Sequence, residues 1–186
     1  MIVNVRGTNG SGKSQVIRNL IGGGKRAPIY GLLGYRQPEA YRLDGLGLDQ
    51  SLFVLGPYQT NTGGCDCVHP YDLITSLLNK YEPAGHVIFE GSLISDNYGR
   101  IGEWLTKRGR ESIVAFLDTP LELCLQRLRA RTEGAGEKNV ERRFEAIARV
   151  RQRFVTEGVV RVVDTSSQDG AAAILALLKA HSLAAA

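Results

Sequence analysis

Apolar residues in this chain fall into short, nearly continuous runs, separated by longer stretches where they recur every three or four positions. Ile2–Arg6, Leu52–Leu55, Val87–Phe89, Ser112–Leu117 and Val159–Val163 are runs of the first kind. Short runs without alternation predict strands covered on both faces. A further short strand is expected near Ile29–Leu33. Helical spacing predicts helices over Ser14–Ile21, Pro70–Tyr81, about Ile101–Arg108, Leu121–Arg131, Val140–Val155 and Ala171–His181. Leu73, Leu77 and Tyr81 share one helical face, and Leu121, Leu125 and Leu128 another. Pro70 and Pro120 stand where helices begin, a place where a missing N–H costs little. Strands alternating with helices predict an α/β fold with a parallel sheet and crossover helices.

Residues 22–69 break this rhythm. Gly22-Gly23-Gly24, Gly31, Gly34, Gly45, Gly47 and Gly63-Gly64 divide short segments that contain aromatic residues. A long, glycine-punctuated insertion of this kind carries binding function more often than core, so the acceptor site of any reaction is expected there.

The first strand runs into Gly7-Thr8-Asn9-Gly10-Ser11-Gly12-Lys13-Ser14, which fits G-x-x-x-x-G-K-[ST]. Between a strand and a helix, such a loop turns its backbone N–H groups toward a polyphosphate. Lys13 then reaches the β/γ oxygens, and the Ser14 hydroxyl reaches Mg²⁺. A bare glycine turn would not need the Lys-Ser pair. A nucleoside triphosphate with Mg²⁺ is therefore expected at this loop.

Val87-Ile88-Phe89-Glu90 ends an apolar strand in a carboxylate. Ligands in doubly wound sheets sit at the carboxyl ends of strands, so Glu90 is expected to face the loop, holding Mg²⁺ or orienting an acceptor hydroxyl. Asp66, in Gly63-Gly64-Cys65-Asp66-Cys67-Val68-His69, competes for the role of base. Cys-x-Cys-x-His has too few ligands and the wrong spacing for a zinc site. Arg127 and Arg131 lie four apart on one helical face, ahead of a polar segment, which suggests a lid over residues 131–139 with Asn139 capping the next helix. Arg131 would spread charge on the transferring phosphate. Arg36, Tyr35, Tyr58, Gly63 and Gly64 are the expected acceptor contacts, and Asp164-Thr165 after the last strand would border the donor base.

Composition narrows the picture further. With 186 residues and 43% apolar content, the chain reads as one domain spanning 1–186. No apolar run is long enough for a membrane span, the N-terminus lacks a signal-peptide pattern, and three cysteines argue against a disulfide framework. A cytoplasmic protein is expected. The net charge of +4 comes from residues 106–161, a weak pointer to a polyanionic partner.

Gly7–Ser14, Glu90 at its strand end, Phe116-Leu117-Asp118-Thr119-Pro120, Arg127-x-x-x-Arg131 and Val163-Asp164-Thr165 together resemble the small P-loop nucleoside and nucleotide kinases. That resemblance implies five parallel strands with Mg·ATP at their carboxyl edge and γ-phosphoryl transfer to a hydroxyl or phosphate. Val5-Arg6 before the loop, Phe89-Glu90-Gly91 and Gly63-Gly64-Cys65-Asp66 look most like bacteriophage 5-hydroxymethyluracil DNA kinases. DNA containing a modified pyrimidine is then the implied acceptor. Gly91 after Glu90 departs from the monophosphate kinases, which carry an Asp-Arg pair there. The alternatives are a kinase of free deoxynucleosides or nucleotides and a nucleotide-hydrolysing ATPase.

Overall fold

The structure is a computed structural model describing residues 1–31, 34, 36–60, 63–70, 72–130, 137–166 and 168–185, with backbone only at 100, 110, 184 and 185. Its strands are β1 (Ile2–Arg6), β2 (Lys25–Ile29), β3 (Ala40–Asp44), β4 (Leu52–Leu55), β5 (His86–Glu90), β6 (Ser112–Leu117) and β7 (Arg161–Thr165). Its helices are α1 (Lys13–Gly23), α2 (Asp72–Tyr81), α3 (Ser92–Ser95), α4 (Tyr98–Arg108), α5 (Leu121–Arg129), α6 (Glu137–Glu157) and α7 (Gly170–Ala185).

Among the described residues the sheet has seven strands in the order β2-β3-β4-β5-β1-β6-β7. From β4 to β7 every pairing is parallel, which is the expected five-stranded part. The sheet as a whole is mixed, however, because β2 and β3 add an antiparallel extension beyond β4. The expectation of a five-stranded, all-parallel sheet is corrected here. Lys25-Arg26-Ala27-Pro28-Ile29 has no apolar alternation to betray a strand, and Pro28 argues against one. It forms one by pairing with β3 from Lys25↔Asp44 to Ile29↔Ala40, and its exposed Lys, Arg and Pro suit an unpaired edge. The strand expected near residue 29 therefore ends at Ile29 rather than beginning there. The last strand starts two residues later than its apolar run, because α6 continues to Glu157 and Gly158 turns the chain at φ +63°.

Strand alternation sorts the core into two layers. Ile2, Val87, Phe89, Val114 and Phe116 face α2, α4 and α6. Val3, Val5, Ile88, Ile113, Ala115 and Leu117 face α1 and α7. Both faces are covered, which is why the central strands read as continuous apolar runs. Leu77 and Tyr81 of the expected α2 stripe are buried and Leu73 is partly buried against the same layer, while Leu121, Leu125 and Leu128 pack with Cys124 and Val140 where α5 meets α6. Glu137–Asn139 belong to α6 itself, so Asn139 is no cap, and the rest of the expected lid, 131–136, lies outside the described residues. Glu137 enters the first turn, favoured by the helix dipole, and pairs with Arg129 across the junction at 2.7 Å. Among the described residues no helix is long and apolar enough to cross a membrane.

Candidate active site

The loop between β1 and α1 closes tightly on itself. Gly10 and Gly12 take φ values of +81° and +100°, which L side chains rarely adopt. A Cβ on Gly10 would also collide with the Cys124 carbonyl of α5. Neighbouring elements then hold the loop from three sides. Ser95 Oγ accepts the Gly7 N–H at 3.3 Å, Thr119 Oγ1 donates to the Ser11 carbonyl at 2.9 Å, and Arg127 Nη1 donates to the Gly10 carbonyl at 3.2 Å. Thr8 Oγ1 donates to the Val140 carbonyl at 3.3 Å, which ties the start of α6 to the loop. Among the described residues Ser11 Oγ, which is buried, has no hydrogen-bond partner.

Lys13 is 5% exposed, and its ammonium donates to the Gly7 and Thr8 carbonyls at 2.9 and 3.1 Å. Desolvation lowers its pKa, while the charges of Glu90 and Asp66 push back. Alternation along β5 turns Glu90 toward the face that carries α1, where Ser14 opens the helix. Ser14 Oγ donates to Glu90 Oε1 at 2.9 Å, and the Tyr58 hydroxyl donates to the same oxygen at 3.4 Å. Glu90 is 1% exposed. Burial raises its pKa, opposed by Lys13 and by the Ser14 hydrogen bond. Burial and the Glu90 charge likewise push the Tyr58 phenol well above its ordinary range.

The glycine-rich insertion folds over this pair. Gly64, at φ +73°, lies so close that a Cβ would come within 2.5 Å of Glu90 Oε1. Gly64 N–H donates to the Pro57 carbonyl at 3.0 Å, and Gly63 packs against Pro57 and Tyr58. Asp66 follows in a short 3-10 turn and accepts the Ser92 and Leu93 N–H groups at 2.8 and 3.1 Å, capping α3. The result is a cleft of about 410 Å³ lined by Asn9, Gly10, Gly12, Lys13, Ser14, Gly63, Asp66, Glu90 and Arg143, among others.

Of the residues expected from the sequence, the cleft brings together the loop, Glu90, Asp66 and Gly63, with Gly64 and Tyr58 beside Glu90. Arg127 grips the loop from α5. Asp164 and Thr165 lie elsewhere. Asp164 pairs with Arg151 and lines a second cavity, of about 340 Å³, on the loop's other flank with Thr8, Ser11, Phe116 and Phe144. Thr165 is buried, and its carbonyl accepts the Asp118 N–H at 2.8 Å. Arg36 is exposed in the β2–β3 connection, at the same sheet edge as Glu90 but outside the cleft lining. Tyr35 and Arg131 lie outside the described residues.

Sequence reasoning missed Arg143, Asp96 and Ser95. Arg143 had a signal. It occupies a position in the α6 stripe Val140, Ile147, Val150, Phe154 that helical periodicity assigns to an apolar residue.

Among the described residues no group of three or more His, Cys, Asp or Glu is arranged for a metal, and Cys65 and Cys67 are free thiols. A kinase-type Mg²⁺ needs fewer protein ligands, because it keeps several waters. Ser14 Oγ and Glu90 Oε1, 2.9 Å apart, fit as its protein donors. That spacing is the edge of an octahedron with metal–oxygen distances of about 2.0–2.1 Å.

Residues 1–163 match the family model described as 5-hmdU DNA kinase. The chain is 34% identical to a 5-hmdU DNA kinase of Pseudomonas phage PaMx11, an alignment covering 96% of this chain and 97% of that protein. It is 31% identical to a 5-hmdU DNA kinase of Pseudomonas phage M6, over 84% of this chain and 86% of the relative. A 5-hmdU DNA kinase 1 of Salmonella phage ViI is 30% identical over 70% of this chain and 59% of its own length.

Proposed function

The chain belongs to the 5-hmdU DNA kinase family, and we propose that its cleft moves the γ-phosphate of ATP to the hydroxymethyl oxygen of 5-hydroxymethyluracil in DNA. The observation that carries this reading is the Ser14–Glu90 pair, which lies in one cleft with Gly10, Gly12 and Lys13 of the glycine loop and whose buried carboxylate is roofed by Gly64. A P-loop kinase fold accounts for the parallel core and for the place of the loop at its carboxyl edge.

In this reading the loop amides and Lys13 hold the β- and γ-phosphates, and the Lys13 ammonium exchanges the Gly7 and Thr8 carbonyls for phosphate oxygens. Ser14 and Glu90 hold Mg²⁺, which when bound neutralises charge on the β- and γ-oxygens. The acceptor hydroxyl attacks the γ-phosphorus in line. The new O–P bond forms as the β,γ-bridging P–O bond breaks, ADP leaves, and the hydroxyl proton passes to a carboxylate. We assign that proton to Asp66. Glu90 is committed to Ser14 and the metal, whereas each Asp66 oxygen accepts one backbone N–H and keeps further acceptor capacity, and Asp66 lines the cleft. The donor base would lie toward Asp164, in the cavity lined by Phe116 and Phe144. A base inside duplex DNA must unstack to reach the cleft, at a cost of about a few kcal/mol.

The test is transfer of label from γ-labelled ATP with Mg²⁺ to DNA containing hydroxymethyluracil, to ordinary DNA and to free nucleosides and nucleotides. Label on the modified DNA alone is the expected result, and label on small molecules alone overturns the acceptor. Asp66→Asn is expected to lower kcat by roughly 10²- to 10⁴-fold with little change in ATP affinity. If Glu90→Gln abolished transfer while Asp66→Asn left it intact, the proton would go to Glu90.

A further inference from the structure

We infer that Arg143 is the cation that grips the γ-phosphate, and that Asp96 holds it in reserve until the nucleotide arrives. This rests on the kinase reading only so far as a triphosphate occupies the loop.

Among the described residues lining the cleft, Lys13 and Arg143 are the two cations. Lys13 lies at the floor against the loop carbonyls and is shared between the β- and γ-phosphates, which leaves the outer side of the γ-phosphate to Arg143. Arg143 comes from α6, 22% exposed, near enough for its charge to be felt at the Lys13 ammonium. Its ion-pair partner is Asp96, with Nε to Oδ2 at 3.3 Å and the carboxylate 24% exposed. That separation is long for a charge-assisted hydrogen bond, which normally closes to about 2.7–2.9 Å. The pair is therefore a loose one that a better anion can break.

Both ends of the pair are firmly mounted. The Thr8 hydroxyl pins the first turn of α6 to the phosphate loop. Asp96 sits at the end of α3, and the carbonyls on either side of it, Ser95 and Asn97, accept from Arg6 Nη1 at 3.4 and 3.3 Å. Arg6 is fully buried on β1. Its Nε donates to Asn4 Oδ1 at 2.6 Å, and its guanidinium lies 5.0 Å over the Phe154 ring of α6. Phosphate transfer itself gives Arg6 no task, yet it joins the strand before the loop, the turn bearing Asp96 and the helix bearing Arg143. With the backbones held, the freedom left to Arg143 is its side chain. A terminal phosphate offers more charge than one carboxylate and accepts the guanidinium fork bidentately. ADP, which lacks that group, leaves Arg143 with Asp96.

Calorimetric binding of Mg·ADP and Mg·AMP-PNP tests this without any acceptor, so failure of the DNA reading shows in the transfer assay and not here. The unaltered protein is expected to bind AMP-PNP more tightly than ADP. Arg143→Ala should weaken AMP-PNP binding about tenfold or more, the scale of one charged hydrogen-bonded contact, and leave ADP within about twofold. Arg143→Lys should fall between, and it decides the matter if the alanine variant melts early. Asp96→Asn should tighten AMP-PNP binding severalfold, and that gain should vanish when residue 143 is alanine. Equal losses for ADP and AMP-PNP, or none for either, overturn the γ-phosphate contact. A gain from Asp96→Asn that survives Arg143→Ala overturns the reserve role.

Discussion

Glu90 is a carboxylate kept where solvent does not reach it, and its neighbours supply only part of what water would. Burial raises its pKa from the ordinary 4.5, while Lys13 and Ser14 pull it back. A divalent cation would complete that compensation, so the charge of Glu90 should matter more than its shape. Glu90→Gln keeps acceptors for Ser14 and Tyr58 but removes the charge. Transfer should fall by roughly 10²-fold or more, and part of the loss should return as Mg²⁺ is raised, read from initial rates across a Mg²⁺ series. Glu90 and Lys13 were legible in the sequence because each sits at a position defined locally, a strand end and a loop motif. Asp66 was legible as a candidate only. Its contact with the first N–H groups of α3 joins residues 26 and 27 positions apart, and no local pattern encodes that.

At the scale of elements, α6 does most to connect the parts of the site. Its stripe packs under β6, its first turn is bound to the loop, and Phe154 lies 1% exposed between Tyr98, at 4.8 Å between ring centroids, and the Arg6 guanidinium. Phe154→Ala should cost about 3–5 kcal/mol of stability, measured by urea unfolding, because the cavity left behind cannot collapse between a strand and a helix. The longer helices were readable from periodicity, since an amphipathic face is written at one fixed spacing whatever it packs against. The four-residue α3 is too short to show a period and was not readable. Nor was the β2–β3 extension. Lys25–Ile29 buries only part of Ile29, and what makes it a strand is the row of partners that β3 offers.

For the whole molecule, the end of the sheet opposite the cleft carries a titratable clasp. His86, 2% exposed at the start of β5, meets the Met1 amino group at 3.4 Å and Asp49 at 3.0 Å, and Asp49 is in turn bonded to Ser182 of α7. Burial lowers the His86 pKa below its ordinary 6.5, with Asp49 opposing and the amino group adding to the fall. Just below pH 6.5 the unfolded chain therefore binds a proton that the folded protein refuses, and stability is lost as pH falls from there toward the folded value. Thermal unfolding from pH 7.5 down to about 5 should show a falling midpoint, and His86→Gln should flatten the slope. By itself the sequence determined the glycine loop with its Lys13-Ser14 end, the alternation of buried strands and amphipathic helices, and the strand-end acid. Each of these is set by dihedral preference, spacing or composition within a dozen residues. Only the tertiary structure decided which strands neighbour one another, that Gly64 roofs Glu90, and that Arg143 of the cleft lining meets Asp96. Those facts depend on contacts between distant segments, whose free energy exists only once the sheet has brought them together.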